Sequence, residues 1–164
     1  MVGKNNPMKS HIPEFGLDPS EAQYILRPGG YTVIFNAGGE VAVVSTPKGV
    51  FLPGGGQEDA ESPEEAAIRE TSEECGLRIA LGGRIGIADE LVFAADEGAH
   101  FRKRCVFFLA EIIEEVGAGE PEHELIWLTP QAAIARLRHE SQRWAVFEAC
   151  GLNQAQTASK ITTD

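Results

Sequence analysis

The sequence predicts one mixed α/β domain, either α+β or α/β, built as a sandwich around a mixed sheet. Three observations predict it. Short β-branched and aromatic runs lie on both sides of one strongly capped helix. Two further capped helices close the chain. Composition is that of a globular domain, 43% hydrophobic and 24% charged over 164 residues. No Pro/Gly-rich linker and no internal repeat divides it. The expected organisation is a lead-in of low order over 1–23, a domain over 24–150, and a polar, disordered tail from about 151–164.

Each element has its own signal. YTVIF (31–35) reads as a strand, NAGG (36–39) as a turn, and VAVV (41–44) as the returning arm of a hairpin. TPKG (46–49) is a second turn, and VFL (50–52) a short strand leading to Pro53 and a loop of three glycines, Gly54, Gly55 and Gly56. Ser62 is a good N-cap, Pro63 suits the first helical position, and Glu65 completes a capping box. Gly76 terminates, so the helix spans about 63–75. Residues 84–93 and 104–113 read as strands, 114–124 as an acidic loop, and 125–128 as a short strand. Thr129-Pro130 opens a helix to about residue 139. Ser141 caps a last helix to about residue 150, with Trp144, Val146 and Phe147 as packing residues and Gly151 as its stop.

Charge and cysteine content narrow the function. The formal net charge is −11, which opposes binding to a nucleic-acid polymer. An anionic small molecule remains possible, because a bound dication reverses the local field. Three cysteines, Cys75, Cys105 and Cys150, without a CxxC, read as reduced and mostly buried thiols of a cytoplasmic protein. No apolar run reaches membrane-span length. The four histidines lack zinc-ligand spacing.

The central helix holds the unusual feature. At about 100° per residue, Glu70, Glu73 and Glu74 share one face. Ile68, Thr71 and Cys75 share the opposite, sheet-packing face. Like charges at this spacing cost a helix about 0.2–0.5 kcal/mol per pair. A hard divalent cation turns that repulsion into binding. The glycines allow close approach of backbone to metal or phosphate, and Arg69 can brace a neighbouring carboxylate. An acidic helix alone is usually a solvated face, and a glycine triplet alone is usually a loop. Their combination is much rarer.

That combination resembles the Nudix box. Gly55 is followed after five residues by Glu61, then after seven by Arg69-Glu70, after two by Glu73-Glu74, and after one by Gly76-Leu77. Thr71 stands where an aliphatic residue is common, and Ala60 where many members have glycine. A weaker likeness runs over 24–150, through Trp127 before Thr129-Pro130 and the closing segment SQRWAVFEA. The resemblance implies an α/β/α sandwich. It implies a pyrophosphohydrolase that needs Mg²⁺ or Mn²⁺ and cleaves a nucleoside diphosphate linked to a further group.

By position the resemblance makes Glu70, Glu73 and Glu74 metal ligands, with the carbonyl of Gly54 or Gly55, and Glu61 in support. Arg69 orients a glutamate. A carboxylate from a distant loop often completes such sites; Glu120, Glu122 and Glu124 are available, with Glu122 favoured, and Glu58 is another candidate. Lys48, Arg102, Lys103 and Arg104 are candidates for phosphate contact, Lys48 first. Tyr31, Phe51, Phe93 and Phe107 could stack on a base, although core packing suits most of them better.

The expected substrate is a nucleoside triphosphate, ordinary or oxidised, with a nucleotide sugar of the ADP-ribose type as runner-up. A non-catalytic nucleotide-binding domain of the same family is the competing class, but its mark, a lost box glutamate, is absent. A calcium-binding loop of the EF-hand kind is not present. The chain is expected to be a monomer or homodimer.

Overall fold

A computed structural model describes residues 11–161, with side chains to 152. Expectations for residues 1–10 and 162–164 lie outside the described residues. Two sheets stand at the centre. The first is mixed, in the order β1 (Glu14–Gly16), β6 (Leu77–Ala94), β7 (Ala99–Glu115), β2 (Ile25–Ile34) and β5 (Gly54–Gly56). β1 pairs with β6 and β2 with β7 in parallel; the other pairings are antiparallel. The second sheet is antiparallel, in the order β4 (Gly49–Phe51), β3 (Val41–Thr46) and β8 (Glu124–Leu128). Three helices complete the fold: α1 (Pro63–Cys75), α2 (Pro130–Arg136) and α3 (Glu140–Ile161).

Strand alternation explains the sandwich. On β7, Cys105, Phe107 and Leu109 join Val33 in a cluster that includes Ala133 and Leu137 near α2 and Ala145, Val146 and Ala149 of α3. The alternate residues Val106 and Phe108 pack instead with Ala67 of α1. Period-two side chains thus bury both faces of the central strands, one under α1 and the other under the closing helices. The expected α/β/α sandwich with a mixed sheet is what the chain adopts.

Helix α1 is bounded as its caps predict. Ser62 Oγ accepts from Glu65 N at 3.1 Å, and a Glu65 carboxylate oxygen accepts from Ser62 N at 3.3 Å. Gly76 closes the helix in the left-handed region, φ 65°. Its sheet-facing residues are Ala66, Ala67, Thr71 and Cys75, while Ile68 is exposed. The wheel therefore misplaced Ile68: the small alanines, not the larger aliphatic, permit close approach to the sheet. Thr71 is buried with its hydroxyl 3.4 Å from that of Thr32, which donates to the Pro53 carbonyl at 3.2 Å. A short hydroxyl chain thus ties the helix to the residue before Gly54.

Several expectations are corrected. The hairpin over 31–44 does not form, because β2 and β3 enter different sheets and touch at one bridge, Phe35 to Val41. β2 starts at Ile25, not at Tyr31, and runs straight through Pro28-Gly29-Gly30. There the glycines serve close approach: a Cβ on Gly30 would strike the Pro63 carbonyl at the start of α1. Gly54, Gly55 and Gly56 are an edge strand, not a loop.

The N-terminal lead-in contributes a strand at 14–16. β6 begins at Leu77, directly after the helix stop, and α2 ends at Arg136. α3 continues past Gly151 to Ile161, so this glycine does not end the helix. Phe147 is exposed, and Trp144 packs on Phe15 and Phe107 instead. Cys75 and Cys105 are buried free thiols, with Cys150 half-buried. No described helix is long and apolar enough to cross a membrane.

Candidate active site

Arg69 is the hub of the acidic helix. Its Nε and one terminal nitrogen grip Glu61 at 2.7 and 2.9 Å, a two-pronged pair across the turn preceding the helix. The other terminal nitrogen reaches Glu70 at 3.0 Å and Glu73 at 3.1 Å. A further bond to the Gly56 carbonyl, 3.1 Å, anchors the guanidinium to β5. Glu58 comes no nearer than 3.7 Å and stays largely exposed. The Arg69 bonds, helped by the Glu58 backbone, hold the Glu61 carboxyl down at about 2.

The remaining box carboxylates differ in their surroundings. Glu74 has a side chain only 12% exposed. Burial pushes its carboxyl up to about 8; the bond from Gly54 N, 2.9 Å, opposes this, and the charges of Glu70, Glu120 and Glu73 add to it. Glu70 is also raised, by burial first, with Arg69 pulling against it. Glu73 is nearly half exposed at the rim.

Two glycines make this arrangement possible. A Cβ on Gly55 would lie 2.7 Å from the Glu70 carboxyl carbon, so the cradle needs glycine there. Gly54, at φ 144°, faces the same constraint from Tyr31 and Gly30. Ala60, where glycine is common in the box, adopts φ 64°.

Gly54, Gly55, Glu70 and Glu74 border a cavity of about 710 Å³. Gly54, Gly55, Glu70, Glu74 and Glu122 form its acidic end, with Lys48 and Lys103 on its walls. Tyr31, Phe51, His139 and Gln142 also line it. Its size lies in the range of small-molecule pockets.

The loop after β7 brings the distant acids in. Gly119 lies so close to the end of α1 that a Cβ there would hit the Glu74 carbonyl. Glu120 N donates to the Glu73 carbonyl at 3.0 Å. Glu122 takes a left-handed φ of 66° and lines the cavity, whereas Glu124 begins β8.

Not every candidate gathers here. Arg102 and Arg104 are committed to buried Asp89, at 2.9 and 3.0 Å, and Arg102 also to Glu14. Phe107 is core, and Phe93 packs on His100 at an exposed edge. Lys48 sits 3.6 Å from Asp96. Sequence reasoning missed His123, 3.9 Å from Glu74, and the pair His139 and Gln142. Only their places next to the acidic loop and the start of the last helix hinted at them; Ser141, expected to cap that helix, lies inside it, because α3 begins at Glu140.

Comparison with known proteins decides the family. The NUDIX domain model matches residues 26–150. The chain belongs to the NUDIX family. A NUDIX hydrolase from Nitrosomonas europaea is similar in structure, with TM-score 0.64 and 18% identity over 77% of this chain and 90% of that one. A MutT NUDIX hydrolase from Burkholderia pseudomallei has TM-score 0.55 and 26% identity, covering 76% of this chain and 98% of that one. A UDP-X diphosphatase has TM-score 0.58 and 17% identity, covering 84% and 68%. The chain is a Nudix pyrophosphohydrolase.

Nudix hydrolases generally use divalent metal ions. Among the described residues, no three acidic, histidine or cysteine side chains converge tightly enough to enclose an ion; Arg69 holds three of the carboxylates in this arrangement. The donors nonetheless suit a hard dication in kind. They are carboxylate oxygens, and Glu74 meets a burial and like-charge penalty that such an ion relieves.

Proposed function

We propose that this Nudix hydrolase converts a nucleoside triphosphate, ordinary or oxidised, to the nucleoside monophosphate in the cavity beside α1. The observation that supports the reading is the continuity of that cavity. Its lining joins Glu70 and Glu74 of the box to aromatic and amide side chains, a layout suited to a phosphate chain attached to a base. Glu70, Glu73 and Glu74, supported by Glu61 and the Gly54 backbone, are the groups proposed to hold Mg²⁺ or Mn²⁺. When bound, such an ion neutralises phosphate charge and acidifies the attacking water.

The chain's own groups have separate roles in this reading. Arg69 keeps the glutamates in place. Lys48 and Lys103 meet phosphate oxygens. Glu122 takes the proton from water. Gly55 leaves space for Glu70. The reaction is then positioning and charge neutralisation, as in other phosphoryl transfers.

A nucleotide sugar of the ADP-ribose type is the second reading. A neighbouring cavity of about 780 Å³ shares Arg27, Lys48, Phe51, Lys103 and His139 with the first, which leaves space for a group beyond the phosphates. The UDP-X diphosphatase among the structural relatives is in line with it.

Purified protein with Mg²⁺ or Mn²⁺ should be given triphosphates, oxidised triphosphates, nucleotide sugars and dinucleoside polyphosphates, with Glu73→Gln as control. Metal-dependent release of a monophosphate from triphosphates, lost in the control, is expected. Turnover confined to nucleotide sugars overturns the first reading in favour of the second.

A further inference from the structure

Gln142 is the most unusual polar residue of the cavity. It is 2% exposed, yet it lines the space beside Phe51 and His139. Its side-chain carbonyl accepts from Leu52 N at 2.8 Å. That bond fixes the orientation of the amide, because only the oxygen can accept from a backbone N–H. The NH₂ group must then point the other way. The one side-chain hydrogen bond of Gln142 to a described residue is that to Leu52, and the residue lines the cavity. A donor that opens on a recess takes its partner from water or from a ligand there.

The surroundings keep this donor in place. Leu52 is core, and β4 ends at Phe51. At the start of α3, Gln142 N donates to the His139 carbonyl at 3.1 Å, and Arg138 N donates to the Val50 carbonyl at 3.0 Å. Strand end and helix start are thus knitted together around the amide. Phe51 and His139 lie with ring centroids 5.2 Å apart and planes tilted by 52°, an aromatic pair lining the same cavity. Burial lowers His139 to about 4, so the ring is neutral and adds no charge.

We infer that Gln142 is a specificity-determining residue whose amide hydrogens read a carbonyl on the nucleobase, favouring 6-oxopurines and 4-oxopyrimidines over their amino counterparts. This rests on the nucleotide reading of the cavity. An amino edge brought to the same place sets donor against donor and leaves both buried groups unpaired. Phe51 offers the face on which the base lies.

The test is binding of nucleoside monophosphates by calorimetry without metal, which is independent of turnover. GMP and UMP should bind about fivefold more tightly than AMP and CMP, the scale of one hydrogen bond. Gln142→Glu keeps an acceptor for Leu52 N and presents a carboxylate oxygen to the base; at pH 8.5 the order should reverse. Gln142→Leu should level it. On the wild type, the Gln142 side-chain NH₂ resonances should shift when GMP saturates, a readout that needs no variant to fold.

Equal binding of all four bases, a preference for amino bases, or resonances unmoved by GMP overturns the inference. Absence of any monophosphate binding overturns it too. Turnover of triphosphates with no base preference refutes the role of Gln142 while leaving the proposed reaction intact.

Discussion

Two clusters of arginine and carboxylate stand in this protein, and they are built to different balances. Around Asp89, two arginines meet two acids: Arg104 at 3.0 Å, Arg102 at 2.9 Å, and Arg102 again to Glu14 at 2.8 Å. Around Arg69, one arginine meets Glu58, Glu61, Glu70 and Glu73, with Glu74 behind. The first is electrically closed, and nothing further is required to stabilise it. The second retains excess negative charge beside a cavity. A closed cluster serves the fold; an open one invites a cation. Burial acts on both, but it raises Glu74 to about 8, whereas at Asp89 the Arg104 and Arg102 bonds outweigh burial and the carboxyl ends up lowered.

Breaking the closed cluster should have the largest effect on stability. Asp89→Ala leaves Arg102 and Arg104 facing each other, and it should cost about 3–5 kcal/mol, less to the extent that the arginines reach solvent. Turnover per folded molecule should stay within about twofold. Urea denaturation with parallel kinetics checks both, and a silent variant would show that the cluster is only a surface pairing.

Glu74 of the open cluster and Asp89 of the closed one should also answer pH with opposite signs. Glu74 holds its proton more tightly folded than unfolded, so its contribution is full below about 4.5 and is lost as pH rises through about 8. Metal-free stability should therefore fall by about 2–4 kcal/mol over that window, and Glu74→Gln should flatten the slope. Asp89 has a lowered carboxyl, so its contribution is present above its ordinary value of 3.8 and lost as pH falls through the folded value. Thermal melts in EDTA from pH 3 to 9 separate the two limbs. Addition of Mg²⁺ should remove the loss on the alkaline side only.

Much of this contrast was legible in the sequence for one cluster and hidden for the other. Arg69, Glu70, Glu73 and Glu74 lie on one helix, whose caps at Ser62 and Gly76 and whose period are local properties. Glu61 is just ahead of it. Asp89, Arg102, Arg104 and Glu14 come together only through the pairing of β1, β6 and β7, which no local pattern specifies. The same distinction explains the lost hairpin, since partner choice of β2 depends on distant β7. It also explains Gln142, whose role needs Leu52 beside it. The strand start at Ile25, ahead of Pro28-Gly29-Gly30, was hidden for the same reason: glycine signals both bends and close contacts, and only the neighbour decides between them.

Within the open cluster, Arg69 should act through the carboxylates it holds. Arg69→Met removes the guanidinium but keeps the stem. The loss in kcat/KM should be about 10–100-fold, the scale typical of groups that orient metal ligands. A steeper dependence on Mg²⁺ concentration should accompany it, which a purely structural lesion would not produce. Metal titration of activity alongside a melt checks this. A full loss of folding would instead place Arg69 with Asp89 as a structural residue.

The smallest effect should fall on the outermost member. Glu58 stands 3.7 Å from Arg69 with a side chain 71% exposed, and exposed pairs at such separations are screened and weak. Its backbone N–H, not its carboxylate, does the local work by donating to Glu61 at 3.1 Å. Glu58→Gln should therefore leave stability within about 0.5 kcal/mol and kcat/KM within about twofold. Since the substitution retains the backbone donor, it isolates the charge alone. A tenfold fall in activity with unchanged melting would move Glu58 into the group that meets the cation, and the boundary of the open cluster would then lie one carboxylate further out than the Arg69 contacts draw it.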